Sequence, residues 1–271
     1  MTGIEHATPG IVVLLLIIGV IFYWAFYRVR GGAVFEIRKI PGIDAIDDAV
    51  GRCAEQGRAI SFSTGLTDIS PTLYACLGVL QSITKTAAQY KLKLLVPQYS
   101  PEVMAVVEDT VRQAYRDVGK SSLFDPSSIR FLSSEQFAFA SGYMGLVHRE
   151  KPGAAFLFGA FAAESLILAE AGQQVGARQV AASVSPEQVA FFICTCEYTL
   201  IGEELFGASA YLSRDPVQVA TVVAQDRVKL LFCVFILLGV ICATIASWNP
   251  VLAWLNPVSL VFLTWGEIVS W

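Results

Sequence analysis

Charge is what this sequence has least of. Only 15% of its 271 residues are charged, against roughly 25% in ordinary soluble domains. Lys and Arg are missing altogether from residues 1–27 and 230–271. With 55% apolar residues the chain has too much surface to bury for intrinsic disorder. The two histidines, His6 and His148, lie far apart in sequence. There is no H-E-x-x-H and no His pair to hold a metal. No G-x-G-x-x-G follows an expected strand, which weakens a dinucleotide-binding reading. All 19 basic residues and 21 of the 23 acids fall between Arg28 and Lys229, giving that segment a formal charge of −2. Such a domain lacks the basic footprint of a nucleic-acid binder.

The six cysteines do not form a disulfide framework. Cys233 and Cys242 sit in an apolar run. Cys53 and Cys76 fall on apolar helix faces, where cysteine is a small buried hydrophobe. Cys194-Thr195-Cys196 is not zinc-knuckle spacing, and no second pair accompanies it. A reducing compartment is expected.

What is present in excess is uncharged apolar sequence near both ends. Ile11–Tyr27 and Leu230–Ala246 are each 17 residues without a charge, near the lower limit for a membrane-spanning helix. The first ends in Phe22, Tyr23, Trp24, Phe26 and Tyr27, followed by Arg28 and Arg30. That order is an interfacial aromatic belt and then positive charge. Met1–Gly10 has no basic n-region, so an uncleaved anchor is expected rather than a signal peptide. The second run is preceded by Arg227 and Lys229. Both apolar runs thus point their positive ends at the domain between them, which the positive-inside rule places in the cytoplasm with the N-terminus outside. The tail Asn249–Trp271 is apolar, interrupted by Pro250 and Pro257. It reads as a further span or an interfacial helix. The expected organisation is an anchor (1–29), a cytoplasmic α/β domain (30–228) and a C-terminal membrane region (229–271).

The middle segment alternates short β-rich apolar runs with helical patterns. Strands are expected at Val34–Ile37, Ala59–Phe62, Leu92–Val96, Ile129–Leu132, Ala154–Phe158, Gln179–Ser183 and Tyr198–Ile201. Ile43, Ile46, Val50 and Cys53 mark a one-faced helix. Ser70-Pro71, Ser100-Pro101, Asp125-Pro126, Ser185-Pro186 and Asp215-Pro216 each pair an N-cap residue with proline at the first helical position. Ser133 and Gln136 have the spacing of a capping box. Repeated β-then-α units predict a Rossmann-like, mostly parallel sheet with helices on both faces, flanked by transmembrane helices. The helix starting at Pro216 is expected to run on into the second apolar run.

The stretches Phe35–Val50, Arg149–Glu170 and Cys196–Arg214 resemble a family of prokaryotic membrane-anchored proteins known only as a domain of unknown function. The resemblance extends over most of residues 34–247. It implies the anchor–domain–anchor layout and brings no activity, cofactor or catalytic residue.

Catalytic motifs fail on inspection. Gly119-Lys120-Ser121 ends like a P-loop, but Ala114 stands where the pattern needs glycine, and a helix precedes it. Gly207-Ala208-Ser209-Ala210-Tyr211 lies in a helical stretch, not at a strand-to-helix elbow. His148 reads as a surface residue near a helix end. No catalytic residue, metal ligand or cofactor is therefore assigned. What remains is the rim beyond the carboxyl ends of the strands, where open α/β sheets bind ligands. Thr64, Gly65, Asp68, Glu164 and Glu203 are the candidates for a small ligand, an amine or a cation, with Ser63, Gln98, Tyr99, Ser183 and Glu204 beside them. The bland alternative is that first-turn carboxylates stabilise a helix by about 0.3–1 kcal/mol with no ligand at all. Two functions are therefore expected. One is a non-enzymatic scaffold or assembly subunit in the cytoplasmic membrane, acting as a homo-oligomer or with other membrane-complex subunits. The other is a membrane-tethered enzyme or sensor using that rim.

Overall fold

A computed structural model describes residues 9–32, 35 and 40–248. The chain divides into two compact units, one of Met1–Phe35 with Val219–Trp271 and one of Glu36–Gln218. The second unit is built on six strands among the described residues: β1 (Ile60–Gly65), β2 (Leu94–Gln98), β3 (Ile129–Phe131), β4 (Ala154–Ala160), β5 (Arg178–Ser183) and β6 (Tyr198–Ile201). Their order is β3-β2-β1-β4-β5-β6, and every pairing is parallel. The order reverses between β1 and β4, which makes that gap the topological switch point.

Parallel strands need crossovers, and these are helical. On one face lie α2 (Pro41–Gln56), α3 (Pro71–Tyr90), α4 (Pro101–Asp117) and α8 (Glu204–Ser213). On the other lie α5 (Gln136–Glu150), α6 (Ser165–Gln174) and α7 (Pro186–Thr195). The pleat divides each strand between two cores. Phe62, Phe156 and Phe158 pack toward the first helical layer, and Leu157 and Ala181 toward the second. Burial on both faces is why the strands read as continuous apolar runs. The expected parallel α/β fold is the observed one.

The helix starts follow the expected capping signals with two exceptions. Asp125-Pro126 opens only a three-residue 3-10 turn, Pro126–Ser128. The Asp125 carboxylate accepts from the Ser127 amide, and the chain enters β3 at once. Ser133 does not form a capping box. Its hydroxyl accepts from the Glu135 amide, and Glu135 is the N-cap of α5. Gln136 turns its side chain to Glu164 instead. The expected strand Val34–Ile37, Phe35 apart, and the tail Asn249–Trp271 lie outside the described residues.

The first unit holds α1 (Pro9–Arg30) and most of α9 (Pro216–Trp248). Gly10–Arg30 and Pro216–Ile245 are both long and apolar enough to cross a membrane. Trp24 is their aromatic marker. Arg28 lies 5.6 Å and Arg227 5.3 Å from its ring centroid. Each such cation–π contact contributes about 0.5–1 kcal/mol at an exposed site.

Gly78 shows how closely α3 and α8 approach. A Cβ there would lie 2.2 Å from the Ser209 hydroxyl. That hydroxyl donates to Gln218 Oε1 at 2.7 Å, and the Gln218 amide donates to the Tyr74 carbonyl. In an open helix Gly→Ala would stabilise by about 0.5–1 kcal/mol. Here Gly78→Ala should instead destabilise by about 1–3 kcal/mol through overpacking. Chemical denaturation of the detergent-solubilised protein reads the sign, and adding Ser209→Gly should restore part of the loss.

Candidate functional site

The carboxyl rim is built where β1 and β4 part. The β1–β4 ladder runs in register from Ile60↔Ala154 to Ser63↔Leu157, then slips so that Gly65 meets Ala160. Gly65 has φ +60 and Gly159 has φ +152, a region that L side chains rarely adopt. A Cβ on Gly65 would lie 2.4 Å from the Ala160 carbonyl, and one on Gly159 would lie 2.3 Å from both the Thr64 carbonyl and the Thr67 hydroxyl. Both glycines therefore serve the close approach of two backbones.

Thr67 closes this gap. Its hydroxyl donates to the Thr64 carbonyl at 2.5 Å and accepts from the Ala160 amide at 2.7 Å. The Leu66 amide adds a bond to the Ala160 carbonyl at 2.8 Å. The loop after β1 and the end of β4 are thus tied to each other at the switch point.

The other rim groups divide into separate clusters. Thr64 is buried, and its hydroxyl donates to Gln98 Oε1 at 3.2 Å. Gln98 is also buried, and its Nε2 has no partner. Glu164 is fully buried at the N-cap of α6. One carboxylate oxygen accepts from the Ala162 amide at 2.9 Å and the other from Gln136 Nε2 at 2.6 Å. Ser165 donates to Gln188, and the Ser183 hydroxyl accepts from the Ser185 amide. Asp68 is exposed in the loop before α3. Glu203 is exposed at the N-cap of α8, after β6. Since β6 is three strands from β1, Glu203 stands off from Thr64 by roughly 14 Å at normal strand spacing. The fold therefore places Thr64, Gly65 and Gln98 together and puts Glu164 on the adjoining β4–α6 turn. Asp68 and Glu203 lie apart from that cluster.

Thr67 and Gln136, which organise the rim, carry no sequence signal of this role. Thr67 sits two residues after a strand and looks like ordinary loop chemistry. Gln136 has the spacing of a capping residue but crosses to a different turn.

Thiol chemistry is muted. Burial pushes Cys53 and Cys196 up to about 11 and Cys76 higher still, so none supplies a thiolate at neutral pH. Burial also pushes the Tyr143 phenol up to about 12. Among the described residues no three His, Cys, Asp or Glu side chains are grouped to hold a metal ion. Gly119 follows α4 and leads into a 3-10 turn, Ser121–Leu123, and Ser209 lies inside α8. His148 is exposed on α5, bonded to the Met144 carbonyl and to Gln174.

Fold and rim together define a doubly wound parallel α/β domain whose switch point is closed on itself, in a chain with two apolar helices. Residues 4–252 match the family described as Domain of unknown function (DUF6754), and the chain belongs to that family. Neither the curated proteins nor the solved structures contain a match to it.

Thr67→Val removes the only hydroxyl that bonds the Ala160 amide. The Thr64 carbonyl keeps a longer bond from the Thr67 amide at 3.3 Å. One buried donor is orphaned, at a cost of about 1–3 kcal/mol. Urea titration should show that loss, and Thr67→Ser, which keeps the hydroxyl, should recover most of it.

Proposed function

We propose that the protein is a non-enzymatic, membrane-anchored scaffold or assembly subunit that associates through its α/β domain. The observation that carries this reading is the number of exposed apolar side chains on α7 and on β6, the strand that ends the sheet among the described residues. Phe191 and Ile193 are 44% and 56% exposed, and Tyr198 and Ile201 are 44% and 53% exposed. Val184 and Cys194 are exposed beside them. Glu187 is the one charged residue of α7. An apolar surface of this kind outside lipid marks an interface. The neighbouring run Phe156–Phe158, with Phe161 and Leu168, contributes nothing to it, because those side chains fill the core. The occupant we favour is a second copy of the chain, since β6 ends the sheet among the described residues and carries neither proline nor lysine to discourage pairing with another strand.

In this reading the protein resides in the cytoplasmic membrane of a prokaryote. The α/β domain faces the cytoplasm and the N-terminus faces out. The support is the confinement of every Lys and Arg between the two apolar runs. Partners are the lipid bilayer, further copies and other membrane-complex subunits, without nucleic acid.

A second reading rests on Glu164, a buried carboxylate whose hydrogen-bond partners are neutral. It makes the protein a tethered enzyme or sensor binding a cation or small ligand at the carboxyl rim, with Thr64, Gly65 and Glu164 as the grouped candidates and Asp68 and Glu203 standing apart from them. A thermal-shift screen with divalent cations and amines should move the midpoint if this reading holds, and Glu164→Gln should abolish the shift.

Light scattering on the detergent-extracted protein should give a protein mass above one chain. Phe191→Asp with Ile193→Asp should reduce it to one chain without lowering the thermal midpoint, because both side chains are on the surface. A monomeric wild type would end the scaffold reading.

Orientation has its own test. Cysteine placed at the exposed Ser122 should resist a membrane-impermeant maleimide in whole cells and react after lysis. Cysteine placed at Thr2 should react without lysis. The reverse pattern would put the domain outside.

A further inference from the structure

The amino edge of the sheet, opposite the rim, holds a cavity of about 220 Å³. It lies before β2 and β3. Lys91, Lys93 and Arg130 line it with Tyr115, and the one acid in the lining is Asp125. Leu92, Leu94 and Leu123 supply apolar wall. We propose that this cavity binds a small, doubly charged organic anion, a phosphate monoester or a dicarboxylate with a short apolar body.

Helix C-termini lie at this edge, and their carbonyls would repel an anion. The last turn of α3 is already neutralised. Lys120 Nζ donates to the Ala88 and Gln89 carbonyls at 3.1 and 2.8 Å. Two of the three lining cations, Lys91 and Arg130, keep capacity for another acceptor. Lys91 has no carboxylate partner among the described residues. Lys93 pairs with Glu150 at 2.7 Å. Arg130 fixes its Nε on the Ser127 carbonyl at 2.8 Å, which orients the guanidinium and leaves its terminal nitrogens for a bidentate oxyanion. Asp125 is occupied as well. It accepts from the Ser127 hydroxyl at 2.7 Å and the Ser127 amide at 2.9 Å. These bonds, with Arg130 and Lys93 nearby, hold its carboxyl below the usual range. Burial and Asp125 push the Tyr115 phenol up, so it stays a neutral hydrogen-bond donor.

Lys91 adds a backbone observation. It ends α3 in the left-handed conformation with φ 58, where glycine is the usual residue. A lysine held there, in the lining of the cavity, carries a conformational cost that glycine would avoid. That makes Lys91→Gly a clean probe, since it removes the charge while relieving the backbone.

The test is calorimetric titration of the full chain in detergent with phenyl phosphate, phthalate and inorganic phosphate. Saturable binding of phenyl phosphate or phthalate is expected, and the tighter of the two identifies the head group. Inorganic phosphate, which lacks the apolar body, should bind about tenfold more weakly. Lys91→Gly and Arg130→Gln should each weaken the organic anion by about tenfold or more. Lys91→Gly should do so with an unchanged or higher thermal midpoint, which a merely structural role would not produce. Absence of saturable binding for all three probes would overturn the proposal, as would equal affinity in wild type and Lys91→Gly.

Discussion

Everything in the α/β unit turns on the approach of β1 to β4. These are the first and fourth strands in sequence, yet they are neighbours at the centre of the sheet. Two glycines let the backbones close, and one threonine hydroxyl bonds across them. An open doubly wound sheet leaves this gap for a ligand. In this chain the Thr67 hydroxyl and the Leu66 amide bond the loop after β1 to the end of β4 at that point.

A sheet buried on both faces also decides where charge can go. Phe62, Phe156 and Phe158 serve one helical layer and Leu157 the other, so the interiors of the four central strands, β2, β1, β4 and β5, hold no ionisable side chain. Charges are pushed to helix exteriors and the sheet edges. There they pair locally, as in Lys85 with Asp117 and Arg178 with Asp48 and Glu197. Exposed pairs of this kind contribute little, about 0–1 kcal/mol each. Their role is in solubility more than in stability, and the two apolar helices have none of them in their central stretches. Trp24, flanked by Arg28 and Arg227, marks where the charged and uncharged parts of the sequence meet.

The sequence made the architecture legible because its signals are local. Proline after an N-cap residue located α3, α4, α7 and α9 to the residue. The apolar runs located five of the six described strands within two residues at each end, and the sixth, β1, runs three residues further than expected. What failed was local chemistry under competition. Asp125-Pro126 carries the same signal as Ser70-Pro71, yet it opens a single turn because β3 begins three residues later. Ser133 and Gln136 have capping-box spacing, but the buried Glu164 carboxylate takes the Gln136 amide. The candidate rim was legible only as a location. Its internal wiring depends on Thr67, Gln98 and Gln136, whose partners are 28 to 93 residues away. No window along the chain holds that information.

Glu164 shows how far residue type alone can lead. A carboxylate at a strand end, on the face where such folds bind ligands, has the position of a cation ligand. The geometry gives it another occupation. It receives one backbone amide and one side-chain amide, and it stands at the positive end of α6. A buried charge is tolerated where hydrogen bonds and a helix dipole stand in for water. Its bond to Gln136 also joins α5, which carries the chain from one flank of the sheet to the other, to the turn after β4. The carboxylate thus acts as a strut between the crossover helix and the switch point. Where the carboxyl rim is tied to itself, two other places keep capacity for a partner: the open side of β6 among the described residues, and the cationic cavity at the amino edge.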